Sequence, residues 1–91
     1  MKYVTPIIYI HISNMISKEF NAKSVLITSV NVCQKTGGEG RHYCFRALVD
    51  LADGRSAVVE GIYSSGVRDE RDPRKVIKPP SLAILKVIIR V

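Results

Sequence analysis

Two stretches in which apolar and polar residues alternate, separated by a glycine-rich centre, constrain the fold of this chain most. The first runs up to Cys33 and the second starts at Cys44, with "QKTGGEGRHY" between them. Alternation with period two is typical of strands in a half-buried sheet, and glycines between two such runs indicate a turn. The sequence therefore predicts an antiparallel hairpin centred between Gly38 and Glu39.

The position of this turn fixes which residues of the two strands face each other. It sets Cys33 opposite Cys44 and Val30 opposite Ala47. The register gathers one apolar face, as a half-buried sheet requires, made of Leu26, Val30, Val32, Phe45, Ala47, Val49 and Leu51. The opposite, wetter face is predicted to carry Ser29, Asn31, Cys33, Cys44, Arg46 and Asp50.

The segment "LADGRS" predicts a second hairpin directly after the first. An Asp-Gly pair between two apolar runs indicates a three-residue loop, a type I turn closed by Gly54 in the left-handed region. This loop pairs Ala47 with Val59 and sets Arg46 opposite Glu60, so that opposite charges meet on the wetter face.

The segments outside the hairpins give weaker patterns. Residues 3–12 are rich in β-branched and aromatic types and predict a strand. Because Pro6 has no backbone donor, this strand lies at a sheet edge or begins at residue 6. Residues 13–21 predict two turns of helix with Ser13 as the N-cap. Residues 64–80 contain three prolines and many charged side chains, which predict a long exposed loop.

The final segment, residues 81–91, fits two periods. Lys86 and Arg90 lie four positions apart, as on one face of a helix, yet apolar residues also occupy every second position from Ala83 to Val91. Its β-branched composition favours the strand.

Together these segments predict one mainly β domain over residues 1–91. We expect a small five-stranded barrel or a strongly twisted antiparallel sheet, with room for one short helix. In number and spacing, five strands with a long connection before the last resemble the oligonucleotide/oligosaccharide-binding (OB) barrel. The alternative is an α+β sheet backed by one or two helices.

The N-terminal segment decides the expected compartment. Lys2 before an apolar stretch resembles the start of a signal sequence, but Pro6 and His11 interrupt the stretch and no small-residue cleavage pattern follows. No run approaches the roughly 20 apolar residues that a membrane-spanning helix needs. We therefore expect a soluble cytoplasmic protein with no membrane partner.

Cys33 and Cys44 admit three interpretations. With His42 they offer ligand types that zinc accepts, but the close cysteine pairs typical of zinc sites are missing and only His11 could complete the set, so we expect no metal. Directly opposed strand residues are close enough for a disulfide. In a reducing cytosol the two cysteines would instead stay free thiols packed side by side, and this interpretation is slightly favoured.

The sequence carries no catalytic or cofactor motif. A nucleophilic cysteine would need a base, which only His42 or His11 could provide. The "GGEG" segment lacks the lysine and hydroxyl residue of a phosphate-binding loop. We expect neither enzymatic activity nor a cofactor.

The charge balance indicates a polyanionic partner. Fourteen Lys and Arg against eight Asp and Glu give a formal charge of +6, which attracts nucleic acid. We predict a non-enzymatic nucleic-acid-binding module that prefers single strands, with cations on the phosphates and tyrosines stacking on bases. The predicted contacts are Lys35, Arg41, His42, Tyr43, Arg46, Tyr63, Arg68, Arg71, Arg74, Lys75 and Lys78, with Tyr3 and Tyr9 as further stacking candidates. Against the stacking role, strand tyrosines are often half buried.

The alternative function is that of a protein-interaction or regulatory subunit. Such a chain would dimerise or dock on a larger partner through a sheet edge or its apolar C-terminal segment. A domain this small enlarges its hydrophobic core by sharing a sheet edge or an apolar segment with another chain. We therefore expect a homodimer or a subunit of a larger assembly.

Overall fold

In the computed structural model, which describes residues 5–35, 41–72 and 74–90, the chain forms one helix and six strands. The elements are α1 (Pro6–Phe20), β1 (Ala22–Lys35), β2 (Arg41–Leu51), β3 (Ser56–Ser64), β4 (Val67–Arg68), β5 (Val76–Lys78) and β6 (Ser81–Arg90). The main sheet is antiparallel with the order β1-β2-β3-β6, and β4 pairs with β5 in a short ribbon. The predicted mainly β antiparallel fold is confirmed, but the main sheet has four strands and is open, so it is not a closed five-stranded barrel.

The helix α1 shows that the strand predicted over residues 3–12 is wrong where the structure describes it. Pro6 begins the helix, where its missing N–H has no partner to lose. Apolar residues recur every four positions and are buried together on one side of the helix: Ile8, Ile12 and Ile16. Because these positions are also all even, they match a strand pattern, but the helix buries three isoleucines in one stripe.

The predicted two-turn helix over residues 13–21 is the second half of α1. Ser13 therefore lies inside the helix, and the N-cap is Thr5. Asn21 ends the helix in the left-handed conformation (φ 50°) and donates its N–H to Ser17 O, so the chain turns within one residue into β1. No helix in the described part of the chain is long and apolar enough to span a bilayer.

The core lies between α1 and one face of the main sheet, the helix face. Its buried sheet residues are Val30, Tyr43, Phe45, Ala47, Val49, Ala57, Val59 and Tyr63. The apolar face predicted for the first hairpin is therefore largely confirmed, with Val32 and Leu51 half buried at its margin. Leu26 is the exception, because it is 62 % exposed.

The hairpin of β2 and β3 has the predicted turn and register. Leu51 N donates to Arg55 O at 2.8 Å, Gly54 N donates to Leu51 O at 3.1 Å, and Gly54 has φ 91°. Arg46 faces Glu60, as the three-residue loop requires.

The predicted register of β1 and β2 is wrong. Val30 lies opposite Phe45 rather than Ala47, and Asn31 rather than Cys33 faces Cys44. The cause is three irregularities, each of which leaves one extra residue on β1, between Ala22 and Ser24, between Ile27 and Ser29, and between Val32 and Gln34. The predicted turn centre at residues 38 and 39 lies outside the described residues.

These irregularities also explain the position of Leu26. On the N-terminal side of the second irregularity, Ile27 pairs with Ala47 and Val25 pairs with Val49, on the helix face. Leu26, paired with Leu48, consequently points to the opposite side, the outer face of the sheet.

The last third of the chain is more regular than the sequence predicts. The loop predicted over residues 64–80 contains the ribbon of β4 and β5, in which Val67 pairs with Lys78. Residues 81–90 form the strand β6, which confirms the strand over the helix for this segment.

Candidate interaction surfaces

The two basic segments predicted from the sequence meet at one end of the main sheet. There, Ser65 N donates to Arg41 O at 3.1 Å, and Arg41 N donates to Ser65 Oγ at 3.2 Å. Ser64 and Ser81 are paired neighbours, so the ribbon leaves the sheet and returns to it at this same end. We call this region, consisting of residues 41–42 and 65–80, the basic end.

The cations of the basic end project into solvent. Exposed side chains include Arg41, Arg71, Arg74, Lys75 and Lys78, and His42 is half buried. The side chains of Lys35 and Arg68 lie outside the described part of the chain. Arg71, Arg74, Lys75 and Lys78 therefore lie on the segment that leaves the sheet beside Arg41.

The acidic residues of the ribbon shape its turns. Asp69 Oδ1 accepts the backbone N–H of Arg71 at 2.8 Å, and Asp72 Oδ1 accepts that of Arg74 at 3.2 Å. Each carboxylate thus bonds the main chain two residues on, which fixes the turn.

The tyrosines predicted to stack on bases are part of the core. Tyr43 is 6 % and Tyr63 1 % exposed, and their ring centroids lie 6.1 Å apart. The Tyr63 hydroxyl is 3.2 Å from His11 Nδ1 of the helix. Burial, with a smaller contribution from Tyr43, raises the pKa of Tyr63 above its ordinary value. Both rings pack under α1, so neither is exposed for stacking on bases.

The remaining aromatic and cationic predictions have separate positions. Tyr9 is exposed on α1, whereas Tyr3 lies outside the described residues. Arg46 lies further along β2, on the outer face, where its Nε is 3.4 Å from Glu60 Oε1. An exposed pair of this kind contributes little to stability but occupies the cation.

Cys33 and Cys44 form a disulfide in the structure, rather than the two free thiols that the sequence slightly favoured. Their Cα atoms are 5.6 Å apart. Although Cys33 is the extra residue at an irregularity of β1, it remains beside Cys44. Within the described residues, no three His, Cys, Asp or Glu side chains are grouped as metal ligands.

The strand β6 forms one edge of the main sheet and is exposed throughout its second half. Four of its apolar side chains are strongly exposed: Leu85 (67 %), Val87 (40 %), Ile88 (44 %) and Ile89 (49 %). Only Leu82 and Ile84, in its first half, pack against the core. An edge strand this long and apolar is a template for pairing with another chain.

The backbone of β6 has a defined direction at this edge. The Leu51–Arg55 hydrogen bond shows that the odd-numbered residues of β3 form hydrogen bonds with β2. Because the residues of an antiparallel strand bond its two neighbours alternately, the even-numbered residues of β3 bond β6. By this alternation Lys86, Ile88 and Arg90 bond β3. Val87 and Ile89 consequently direct their N–H and C=O groups to the free edge.

A row of apolar residues crosses the outer face, and sequence reasoning missed it. Leu26, Leu48, Val58 and Ile88 lie directly opposite one another on successive strands, and we call them the outer row. Leu48 and Val58 occupy positions of β2 and β3 where alternation calls for polar residues. That break in alternation is the signal that could have identified the row.

Comparisons of the chain with protein-family models, with curated proteins and with solved structures found no match.

Proposed function

We propose that this chain is a non-enzymatic interaction subunit whose β6 edge receives a strand from a partner chain. The observation that carries the proposal is the exposure of Leu85, Val87, Ile88 and Ile89 along a strand at the sheet edge. Main-chain hydrogen bonds at an edge provide affinity, and alternate side chains provide selectivity.

The residues of this edge differ from those of protected edges. Natural sheets protect edges with inward charges, prolines or bulges. β6 has a single irregularity, at Leu85, and its two cations, Lys86 and Arg90, lie on the outer face. Val87 and Ile89 on the helix face present apolar side chains together with outward backbone groups that bond no other described residue.

Peptide addition tests the proposal. The probe is a ten-residue extended peptide of alternating valine and threonine with a lysine at each end. Binding is measured by fluorescence anisotropy of the peptide and by amide hydrogen exchange of Val87 and Ile89. We expect saturable binding that slows exchange of these two amides. The control peptide carries two neighbouring prolines, which remove donors from both of its edges.

A variant of the chain supplies the matched control. Val87→Pro removes one N–H at the free edge and is compatible with an edge strand, so the fold should persist while peptide binding is lost. Peptide binding without protection at Val87 and Ile89, or no binding at all, would contradict the proposal.

A second candidate function is binding of nucleic acid through the basic end. The supporting observation is the pair of hydrogen bonds between Arg41 and Ser65, which joins both basic segments. Because Tyr43 and Tyr63 are buried, this proposal rests on phosphate contacts by Arg41, Arg71, Arg74, Lys75 and Lys78.

Salt dependence tests this second proposal. Phosphate contacts release counterions, so the slope of log affinity against log salt should be negative, by about 0.7 per contacted phosphate on single strands. Arg71→Ala with Lys75→Ala should flatten this slope. Lys18→Ala with Lys23→Ala, near the α1–β1 junction, should not. Equal slopes for the two double variants would argue against the basic end.

A further inference from the structure

The irregularity at Leu85 divides the free edge of β6 into two regular segments, and residues 86–90 form the longer one. Leu85 is the extra residue of the irregularity opposite Glu60 and Gly61, and beyond it each residue pairs with β3 in regular order. Within this segment, Val87 and Ile89 are the residues whose backbone groups face outward. A strand that pairs with the whole segment must therefore offer two residues that match Val87 and Ile89.

We propose that this strand is β6 of a second copy of the chain, antiparallel to the first, with Ile88 of one copy opposite Ile88 of the other. The inference rests on the proposed function and names the partner that it requires. A two-fold axis through the Ile88 pair relates the copies, so the contact closes on itself and forms a dimer with an eight-stranded sheet.

The backbone favours this register. It sets Val87 of each copy opposite Ile89 of the other, and both residues direct N–H and C=O groups to the free edge. Two such pairs form four hydrogen bonds, which satisfy every outward backbone group of residues 86–90. The bulged Leu85 stays outside the ladder.

The side chains favour it as well. On the helix face, Val87 (40 % exposed) meets Ile89 (49 % exposed) of the second copy twice. On the outer face, Ile88 meets Ile88, so the outer rows of the two copies join end to end. The exposed apolar residues of the segment thereby cover one another.

One unfavourable contact accompanies this register. It places Lys86 opposite Arg90 of the second copy, and like charges at opposed positions repel. Glu60, opposite Lys86 on β3, offsets part of this charge. A register with Val87 opposite Val87 would avoid the contact, but it would bring Leu85 into the ladder and leave fewer regular pairs.

Cysteine crosslinking tests the register directly. The Ile88 pair is a non-hydrogen-bonded one, with Cα atoms about 4.5 Å apart, within disulfide range. Under mild oxidation we expect Ile88→Cys to form a covalent dimer at least tenfold faster than Val87→Cys. Preferential crosslinking of Val87→Cys would overturn the register, and crosslinking of neither would overturn the second copy as the partner.

Charge reversal tests the same contact without new cysteines. Arg90→Glu converts two repulsive pairs into attractive ones, and we expect about a tenfold lower dimer Kd by analytical ultracentrifugation. Combining it with Lys86→Glu restores like charges and should remove the gain. Lys18→Glu, on α1, is the control and should leave the Kd unchanged. Additive effects of the two β6 reversals would overturn the Lys86–Arg90 contact.

Peptide binding and dimerisation together separate a second copy as the partner from the β6 edge as a docking site. A chain that binds the alternating peptide at Val87 and Ile89, yet stays monomeric over a hundredfold concentration range, excludes the second copy and keeps the edge as a docking site. A chain that neither binds the peptide nor dimerises excludes both.

Discussion

The two edge strands of the main sheet, β1 and β6, differ in regularity and in exposure. β1 has three irregularities within fourteen residues, is tied to β2 by the Cys33–Cys44 disulfide, and lies closest to α1. β6 has one irregularity, and its second half extends past the core with Val87 and Ile89 exposed.

This difference shows how one sheet can be closed to association on one side and open on the other. Bulges twist a strand and interrupt the regular row of donors and acceptors that a second strand needs. The β1 edge is thus a poor template, whereas residues 86–90 of β6 keep a regular row. Three perturbations should separate the two sides, and a fourth tests the core between them.

The largest effect is expected where α1 covers the β1 side. Ile12 is fully buried, so Ile12→Ala should lower the free energy of unfolding by about 2–5 kcal/mol, measured by chemical denaturation. Ile10→Ala, on the exposed side of the same helix, should change it by less than about 0.5 kcal/mol. Similar losses in both variants would mean that α1 does not anchor this side.

Opening the disulfide should loosen the β1 edge next. The bridge spans 11 residues of sequence, and restricting a loop of this size in the unfolded chain stabilises the fold by about 3 kcal/mol. Reductant should lower the thermal midpoint of the wild-type chain and leave that of the Cys33→Ala, Cys44→Ala double variant unchanged. An equal response of both proteins would argue against the bridge.

On the β6 side, Gly61 controls how closely the edge strand approaches. A Cβ at this position would contact Ala83 O and come within 2.9 Å of the Phe45 ring. Gly61→Ala should therefore cost about 1–3 kcal/mol in unfolding free energy. Gly54→Asn tests a glycine needed only for its positive φ, and should cost under about 1 kcal/mol because asparagine tolerates that conformation. The reverse order would mean that β6 does not need this close approach.

The smallest effect concerns pH. Burial and Tyr43 raise the pKa of Tyr63 above its ordinary 10.0, so the folded chain keeps this proton at a pH where the unfolded chain loses it. The stabilisation is complete below pH 10.0 and declines as the pH rises through the folded-state pKa. Tyr63→Phe should flatten this decline in unfolding free energy, and Tyr9→Phe should not. An unchanged slope in Tyr63→Phe would assign the decline to other groups.

Local sequence signals predicted the β2–β3 hairpin in full, because one Asp-Gly turn of fixed length sets every following pair. The same reasoning failed for β1 and β2. The extra residues Lys23, Thr28 and Cys33 shift the register, and no glycine or proline marks these positions in the sequence.

The helix was missed for a geometric reason. Residues spaced by four belong to one face of a helix and also to one face of a strand, so Ile8, Ile12 and Ile16 fit both. What decides is the rest of the fold, in which these isoleucines pack in one cluster with Phe45 and Val49 of the sheet.

The interaction surfaces were predicted in part. The run of Arg71, Arg74 and Lys75 is visible in the sequence, whereas the contact of Arg41 with Ser65 depends on pairing at the sheet end. The burial of Tyr43 and Tyr63 could not be read from composition, because a strand tyrosine suits either side of a sheet.

The long connection before β6 has a consequence for folding order. β1, β2 and β3 join in consecutive hairpins, whereas β6 pairs with β3 across the longer connection of residues 65–80, which adds loop-closure entropy to its docking. We expect native-state hydrogen exchange to show Lys86, Ile88 and Arg90 opening at lower free energy than the β2–β3 ladder. Such an opening would expose the edge of β3, and an exposed sheet edge is a template for pairing with another chain.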